Sequence, residues 1–150
     1  MASSSAIEEV EVAGQEPGDG RDRGGIVLAS NVRALRESLR QLLIGHGVPV
    51  VAEVDSGSAA VSAVVRHEPA AAVLALELAG KLGLYQAMRV ITRIAPKVPV
   101  LLVVMARNAE AERLAAEAGA ALALEVSCPP SVMVEAVRWL VCEGEGRSSA

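Results

Sequence analysis

Two hydrophobic periods alternate along the chain from about residue 25 onward. Short apolar runs bounded by turn-forming residues predict β-strands, and these runs cover residues 25–30, 49–54, 70–76, 98–104 and 121–126. Between them, apolar residues recur three and four positions apart, which is typical of amphipathic helices. The predicted helices cover residues 32–43, 58–67, 84–95, 108–118 and 131–142.

The order of these elements predicts the fold class. Five strands alternate with five helices, and the central strands are apolar throughout, as in a parallel sheet that is covered on both faces. We therefore predict a doubly wound α/β domain with a five-stranded parallel sheet. Ligands and reactive groups in such sheets lie beyond the carboxyl ends of the strands, so we expect function at that edge.

The two ends of the chain differ from this body. Residues 1–24 are rich in Ser, Gly, Glu and Asp, a composition that predicts a disordered N-terminal tail. Residues 25–143 form the predicted domain, and residues 144–150 are predicted to be a flexible C-terminal tail. The first residues lack the basic and apolar regions of a secretory signal, and the apolar stretch 98–106 is too short to span a membrane. We expect a cytoplasmic protein that has no membrane partner.

Composition and charge exclude several classes of partner. Only 1% of the residues are aromatic, which leaves too few rings for stacking on single-stranded bases. The formal net charge is −4, and no run of Lys and Arg is long enough to follow a phosphate backbone. We therefore expect no direct contact with nucleic acid.

Motifs for cofactors and metals are also missing from the sequence. The turn after the first strand reads ASNVR and lacks the glycines of a dinucleotide or phosphate-binding loop. The predicted body contains one Asp, Asp55, and a divalent cation needs several hard oxygen ligands. We predict no cofactor and no metal site.

Four stretches carry a resemblance to a known family: RESLRQLL, VPVVAEVDSGSAAV, EPAAAVLALELAGKLG and AERLAAEAGAA. From about residue 25 to 143 the chain resembles the receiver domain of bacterial two-component response regulators. It is most similar to the branch with LuxR-type (NarL) output domains. The resemblance implies the flavodoxin-like, CheY-like form of the doubly wound fold.

In that family the carboxyl edge of the sheet carries an acidic pair that binds magnesium, a phosphoacceptor Asp, a hydroxyl residue and a Lys. The resemblance places the acidic pair at Ser30 and Asn31, the phosphoacceptor at Ala75, the hydroxyl at Val104 and the Lys at Val126. None of these residues has the family's side-chain chemistry. We therefore expect a degenerate receiver, or pseudo-receiver, that is not phosphorylated on Asp and is not an enzyme.

Residues near these positions have plainer interpretations. Ser30 and Asn31 are favoured N-cap residues for the first helix. Glu77, two positions after Ala75, is expected to face the same side of the chain as Ala75 and to be solvated as a loop residue. Glu77 is also the candidate for a substitute phosphoacceptor. An enzyme that uses Ser30 or Glu77 is the weakest hypothesis, because neither residue has a base within plausible reach.

Surfaces are the remaining candidates for function. The last predicted helix is apolar almost all round, and its candidate interface residues are Met133, Val137, Trp139 and Leu140. Trp139 either anchors an interface or packs against the first helix. Arg33, Arg36 and Arg40 recur at helical spacing on the first helix, where they form a solvated face or meet an acidic partner such as residues 8–16.

Two functions follow as hypotheses. The first is a stand-alone pseudo-receiver, with no DNA-binding domain after residue 143, that acts by contact as a homodimer or with another signalling protein. The alternative is a small-molecule sensor whose pocket lies at the vacated positions Ser30, Asn31, Ala75 and Val104.

Overall fold

A computed structural model of the protein describes residues 25–149, with side chains as far as Cys142. The predicted tail at residues 1–24 lies outside the described residues. The strands are β1 (Ile26–Ala29), β2 (Val50–Val54), β3 (Ala71–Ala75), β4 (Val100–Val104) and β5 (Leu122–Glu125). The helices are α1 (Arg33–Gly45), α2 (Gly57–His67), α3 (Leu84–Ile94), α4 (Ala109–Ala118) and α5 (Pro130–Ser149).

All five strands pair in parallel in one sheet, in the order β2-β1-β3-β4-β5. The order reverses at β1, because the chain first moves outward to β2 and then returns past β1 to β3. The predicted fold class is therefore confirmed. Since the strands are parallel, all of their carboxyl ends meet at one edge of the sheet.

Alternate residues of each strand supply two separate apolar cores. On one face Val27, Leu74 and Leu102 pack with buried residues of α2, α3 and α4. On the other face, residues such as Leu28 and Leu101 pack with buried residues of α1 and α5. Because β1, β3 and β4 are covered on both faces, they read as continuous apolar runs in the sequence.

Side-chain caps begin two of the helices. The Ser56 hydroxyl accepts a hydrogen bond from the Ala59 amide at the start of α2, and the Asn108 carbonyl oxygen accepts one from Ala111 at the start of α4. Gly119 ends α4 at a φ of +94°, in the left-handed region that glycine adopts without strain.

The expectation that Ser30 or Asn31 caps α1 is wrong. The N-cap is Val32, and no side chain caps it. Ser30 lies too early in the chain, and its hydroxyl accepts a hydrogen bond from the Val32 amide at 3.1 Å. This is a local turn in which a hydroxyl bonds the backbone two residues on. Asn31 is exposed.

The last helix is longer than predicted. Helix α5 extends to Ser149 rather than ending near Cys142, so the backbone of residues 144–149 is helical. The segment contains Gly144 and Gly146 but no proline. Glycine lowers helix stability by about 1 kcal/mol relative to alanine, whereas proline costs about 3 kcal/mol, so the two glycines weaken the helix without ending it.

Close packing at the first residue of α2 gives a test of the fold. A Cβ atom at Gly57 would overlap the carbonyl oxygen of Leu82 and lie 2.9 Å from the Leu82 Cβ. We expect Gly57→Ala to lower the free energy of unfolding by about 1–3 kcal/mol, the usual cost of overpacking. Urea denaturation followed by circular dichroism would measure the change.

The matched control is Gly45→Ala in the last turn of α1, where an added Cβ meets no atom within 4 Å. This change should be neutral or should stabilise the protein by up to about 1 kcal/mol. Equal unfolding free energies for the two variants would contradict the packing described at Gly57.

Candidate functional site

The five residues singled out in the sequence lie along one edge of the sheet. Ser30 and Asn31 follow β1, Ala75 and Val104 end β3 and β4, and Val126 follows β5. These four strands are consecutive in the sheet. The structure therefore brings all five positions to the carboxyl edge.

The exposure of these positions varies. Ser30 and Ala75 have no accessible surface, and Val104 retains 7%. Val126 is half-buried, and its amide donates to the Val104 carbonyl at 2.8 Å. Among the described residues, Ser30 and Ala75 are therefore closed off by packing, whereas Asn31 is exposed.

The chain turns sharply directly after Ala75. Leu76 adopts a φ of +66°, which is uncommon for a residue other than glycine, and the Glu77 amide donates to the Ala75 carbonyl at 2.8 Å. This turn ends the alternation of the strand. Glu77 is exposed, as expected for a loop residue, whereas Ala75 is buried.

Backbone hydrogen bonds tie the loops of this edge together. The Asn31 amide donates to the Glu77 carbonyl at 2.8 Å, and the Ala79 amide donates to the Asp55 carbonyl at 2.8 Å. The Leu76 amide donates to Val103 of the neighbouring strand at 2.9 Å. The loop after β3 is thus fixed to the loops after β1 and β2 without using any side-chain charge.

A charged cluster lies beside this edge, between α1 and β2. Glu53 accepts from Arg36 Nε at 3.3 Å and from Arg40 Nε at 2.8 Å. Arg36 also donates through Nη1 to the Ser30 carbonyl at 2.7 Å. The cluster is partly buried, because only 18% of the Arg36 side chain and 29% of the Glu53 side chain are exposed.

These contacts correct the interpretation of the arginines as one outward-facing stripe. Arg36 and Arg40 turn toward β2 to reach Glu53, and Arg33 pairs with Glu37 on the surface of α1 at 3.0 Å. Each of the three arginines thus has an ion-pair partner within the domain, with Arg36 and Arg40 sharing Glu53. The sequence signal that was missed is Glu53 itself, the one charged residue in the apolar strand VVAEV.

An open cavity of about 460 Å³ lies next to the vacated positions. Its lining is mostly apolar and includes Val104 but neither Ser30 nor Ala75; the lining residues are Val32, Leu76, Glu77, Leu84, Tyr85, Val104, Met105, Ala106, Asn108 and Ala111. Partial burial, with a smaller contribution from the Glu110 carboxylate, raises the pKa of Tyr85 above its usual value. The phenol is a hydrogen-bond donor at neutral pH, as an ordinary tyrosine is.

The side chains at the five positions supply little chemistry. Ala75, Val104 and Val126 have only hydrocarbon groups, and the Ser30 hydroxyl already accepts from the backbone. Magnesium prefers carboxylate oxygens, so this set of side chains does not fit a magnesium ion. Within residues 25–142, no group of three or more His, Cys, Asp or Glu side chains is arranged to hold a metal.

Comparison with known families identifies the fold. A model of the response regulator receiver domain matches residues 26–138, which is most of the chain. The chain belongs to the response regulator receiver domain family. It is therefore a receiver domain of two-component signalling, and no curated protein matches it closely enough to narrow this further.

Solved structures agree with this assignment. The receiver domain of the response regulator NarL from Mycobacterium tuberculosis superposes with a TM-score of 0.72 at 25% identity, covering 81% of this chain and 97% of that one. A LuxR-family response regulator from Aurantimonas sp. superposes with a TM-score of 0.72 at 27% identity, covering 78% of this chain and 84% of that one. A CheY-like receiver from Methanospirillum hungatei, at 16% identity, shares the fold with a TM-score of 0.72.

The predicted interface residues on the last helix of the receiver domain fall into a buried group and an exposed residue. Met133, Val137 and Leu140 are at most 4% exposed and belong to the core beneath α5, so they cannot meet another chain. Trp139 is 52% exposed and does not pack back against the domain as a core residue. Among the described residues, no helix combines the length and apolar character needed to cross a bilayer.

The cluster around Glu53 gives a second test. Glu53→Gln keeps the shape of the side chain but leaves the mostly buried Arg36 without its counter-charge. Because hydrogen bonds to charged groups contribute about 1.5–3 kcal/mol, we expect a loss of this size in the free energy of unfolding. The comparison is Glu37→Gln, which removes the exposed pair with Arg33 and should cost under about 0.5 kcal/mol. Equal losses in urea denaturation would show that the cluster contributes no more than a surface pair.

Proposed function

We propose that this receiver domain is a pseudo-receiver, which acts in signalling by protein–protein contact rather than by accepting a phosphoryl group on Asp. The observation that carries the proposal is Ala75. A buried methyl group ends β3 at the position that, by resemblance, holds the phosphoacceptor of the family. A methyl group has no lone pair with which to attack phosphorus.

The neighbouring positions support the same conclusion. By resemblance, Ser30 and Asn31 replace the magnesium-binding acids, Val104 replaces the hydroxyl residue and Val126 replaces the Lys. A cluster of carboxylates destabilises a fold by mutual repulsion unless a cation compensates it. The five uncharged positions avoid this repulsion. They also lack the change in charge by which phosphorylation shifts a protein between two conformations.

A fixed surface is what a protein without this switch can offer to partners. Arg138 Nη2 donates to the His46 carbonyl at 2.6 Å and so holds α5 against the end of α1. Exposed apolar side chains lie on both helices, with Ile44 at 48%, Val132 at 41% and Trp139 at 52% exposure. We call these three residues the α1–α5 apolar surface and propose it as the contact site, with Trp139 as its anchor.

The proposed partner is a second copy of the chain or another signalling protein, and the proposed activity involves no catalysis, nucleic acid or membrane. A cytoplasmic location is part of the proposal. It is supported by the unpaired thiols of Cys128 and Cys142, which suit a reducing compartment.

The cavity beside Val104 favours a second function, the sensing of a small molecule. Its volume of about 460 Å³ falls in the range of ligand sites, and Tyr85, Glu77 and Asn108 add polar groups to its apolar wall. Of the vacated positions only Val104 lines it, so a sensor would use this cavity without contact to Ser30 or Ala75. We prefer the contact proposal, because it explains the exposed apolar side chains of α5, which a sensor function leaves unexplained.

Sedimentation across a range of protein concentrations tests the contact proposal. We expect the full chain to form a dimer without any phosphodonor. Trp139→Ala should weaken the dimer about thirtyfold or more, since an interface anchor contributes about 2 kcal/mol or more.

The control is Val65→Ala, which removes another exposed apolar side chain, 58% exposed, from α2 on the opposite face of the sheet. It should leave the dimer unchanged. A wild-type chain that remains monomeric, or equal weakening by both variants, would contradict self-association through the α1–α5 apolar surface.

A further inference from the structure

The net charge of the protein is concentrated at one end of the chain. Residues 1–24 contain six acidic and two basic residues and so account for the whole formal net charge of −4. Within them, residues 7–16 (IEEVEVAGQE) combine four acidic side chains with Ile and Val and contain no basic residue. This segment is suited to a surface that is both basic and apolar.

Exposed basic and apolar side chains lie on α2 and α3, which pack side by side on one face of the sheet. We call these residues the α2–α3 basic face. All of its members are exposed, and they are Val65, Arg66, Arg89, Arg93, Ile94 and Lys97. Val65 and Ile94 are 58% and 47% exposed and lie in the last turns of the two helices.

The orientation of α3 places Ile94 toward α2. The Thr92 hydroxyl donates to the Ala118 carbonyl at 3.1 Å, so the Thr92 side of α3 faces α4. Ile94 is two residues further on and therefore projects about 200° around the helix, on the side of α2. Ile94 therefore lies on the side of α3 that borders the groove between α2 and α3.

The cations of this face have no ion-pair partner among the described residues, whereas Arg33, Arg36 and Arg40 of α1 are each paired. A positive charge in the last turn of a helix stabilises the helix through its dipole, which explains the positions of Arg66 and Arg93. Arg89 lies a turn earlier and Lys97 lies beyond the helix end, so interaction with the helix dipole does not explain these two positive charges.

The chain enters the fold close to this face. The Gly25 carbonyl accepts a hydrogen bond from the Ala70 amide at 2.8 Å, which places Gly25 beside the loop that follows α2. Helices α2 and α3 both end at this amino edge of the sheet. Residues 17–24 (PGDGRDRG) connect the acidic segment to Gly25, and eight residues span at most about 26–29 Å. That reach exceeds the length of α3, about 16 Å at 1.5 Å per residue.

We propose that residues 7–16 bind the α2–α3 basic face of the same chain. The covalent connection supports this occupant over a free partner, because binding within one chain takes place at an effective concentration in the millimolar range when the connecting segment is short. Even a weak site is then occupied. The bound segment covers a face of the receiver domain that other acidic partners would otherwise reach, and it is released when salt screens the charges.

Nitrogen-15 NMR spectra of the full chain at low and high salt test this proposal. In the wild type we expect amide signals of residues 7–12 and of residues 89–97 to shift together as salt is raised. In Arg89→Glu/Arg93→Glu the salt-dependent shift of residues 7–12 should be lost. Adding Glu8→Arg/Glu9→Arg to that variant should restore it, because the charges are then complementary again.

The matched control is Arg33→Glu/Arg113→Glu, which makes the same change in charge on α1 and α4, where both arginines are exposed. It should leave the signals of residues 7–12 as in the wild type. The proposal fails if the control moves these signals as much as Arg89→Glu/Arg93→Glu does, or if neither variant moves them. Dilution should have no effect, and a shift that fades on dilution would show that another copy's tail is bound instead.

Discussion

Helices bury both faces of the parallel sheet, and this double burial determines where polar side chains can lie in the domain. Strands β1, β3 and β4 have almost no accessible surface, and helices cover them from both sides. A strand in this setting has to be apolar at every position along its length. Polar chemistry is then confined to the strand ends, where the loops reach water and the chain turns into the next helix.

In this receiver domain the apolar character continues through the strand ends. Ala75, Val104 and Val126 extend the core to the edge that carries reactive groups in doubly wound folds. Backbone hydrogen bonds among the loops, together with the Arg36–Glu53–Arg40 cluster, hold the edge in place. The edge is therefore built as a packed structural element. This arrangement suits a domain whose surfaces stay in one state and are read by contact.

The hydrophobic pattern was sufficient to predict the strands, the helices and the parallel sheet, because burial on both faces and amphipathic spacing are local properties of the sequence. Resemblance placed the five edge positions, and the structure brings them to one edge. What the pattern could not predict depends on three-dimensional partners. Arg36 and Arg40 pair with Glu53 from a different element, and Met133, Val137 and Leu140 became core residues once α5 packed on the sheet.

The turn at Leu76 and the extent of α5 were also beyond the sequence argument. A left-handed leucine is held by hydrogen bonds from neighbouring strands and loops, which single-residue preferences do not contain. The continuation of α5 past Cys142 depends on the sum of weak preferences in a segment with two glycines. The first difference leaves Glu77 exposed, and the second lengthens the helix that carries Trp139.

A pseudo-receiver should gain no phosphoryl group at its carboxyl edge, and intact-mass spectrometry of the full chain after incubation with acetyl phosphate and Mg²⁺ measures this. We expect an unmodified mass, because Ala75 has no nucleophile and its neighbours do not fit the metal. A phosphoryl adduct would show that the domain is phosphorylatable after all, and its loss in Glu77→Gln would identify Glu77 as the acceptor.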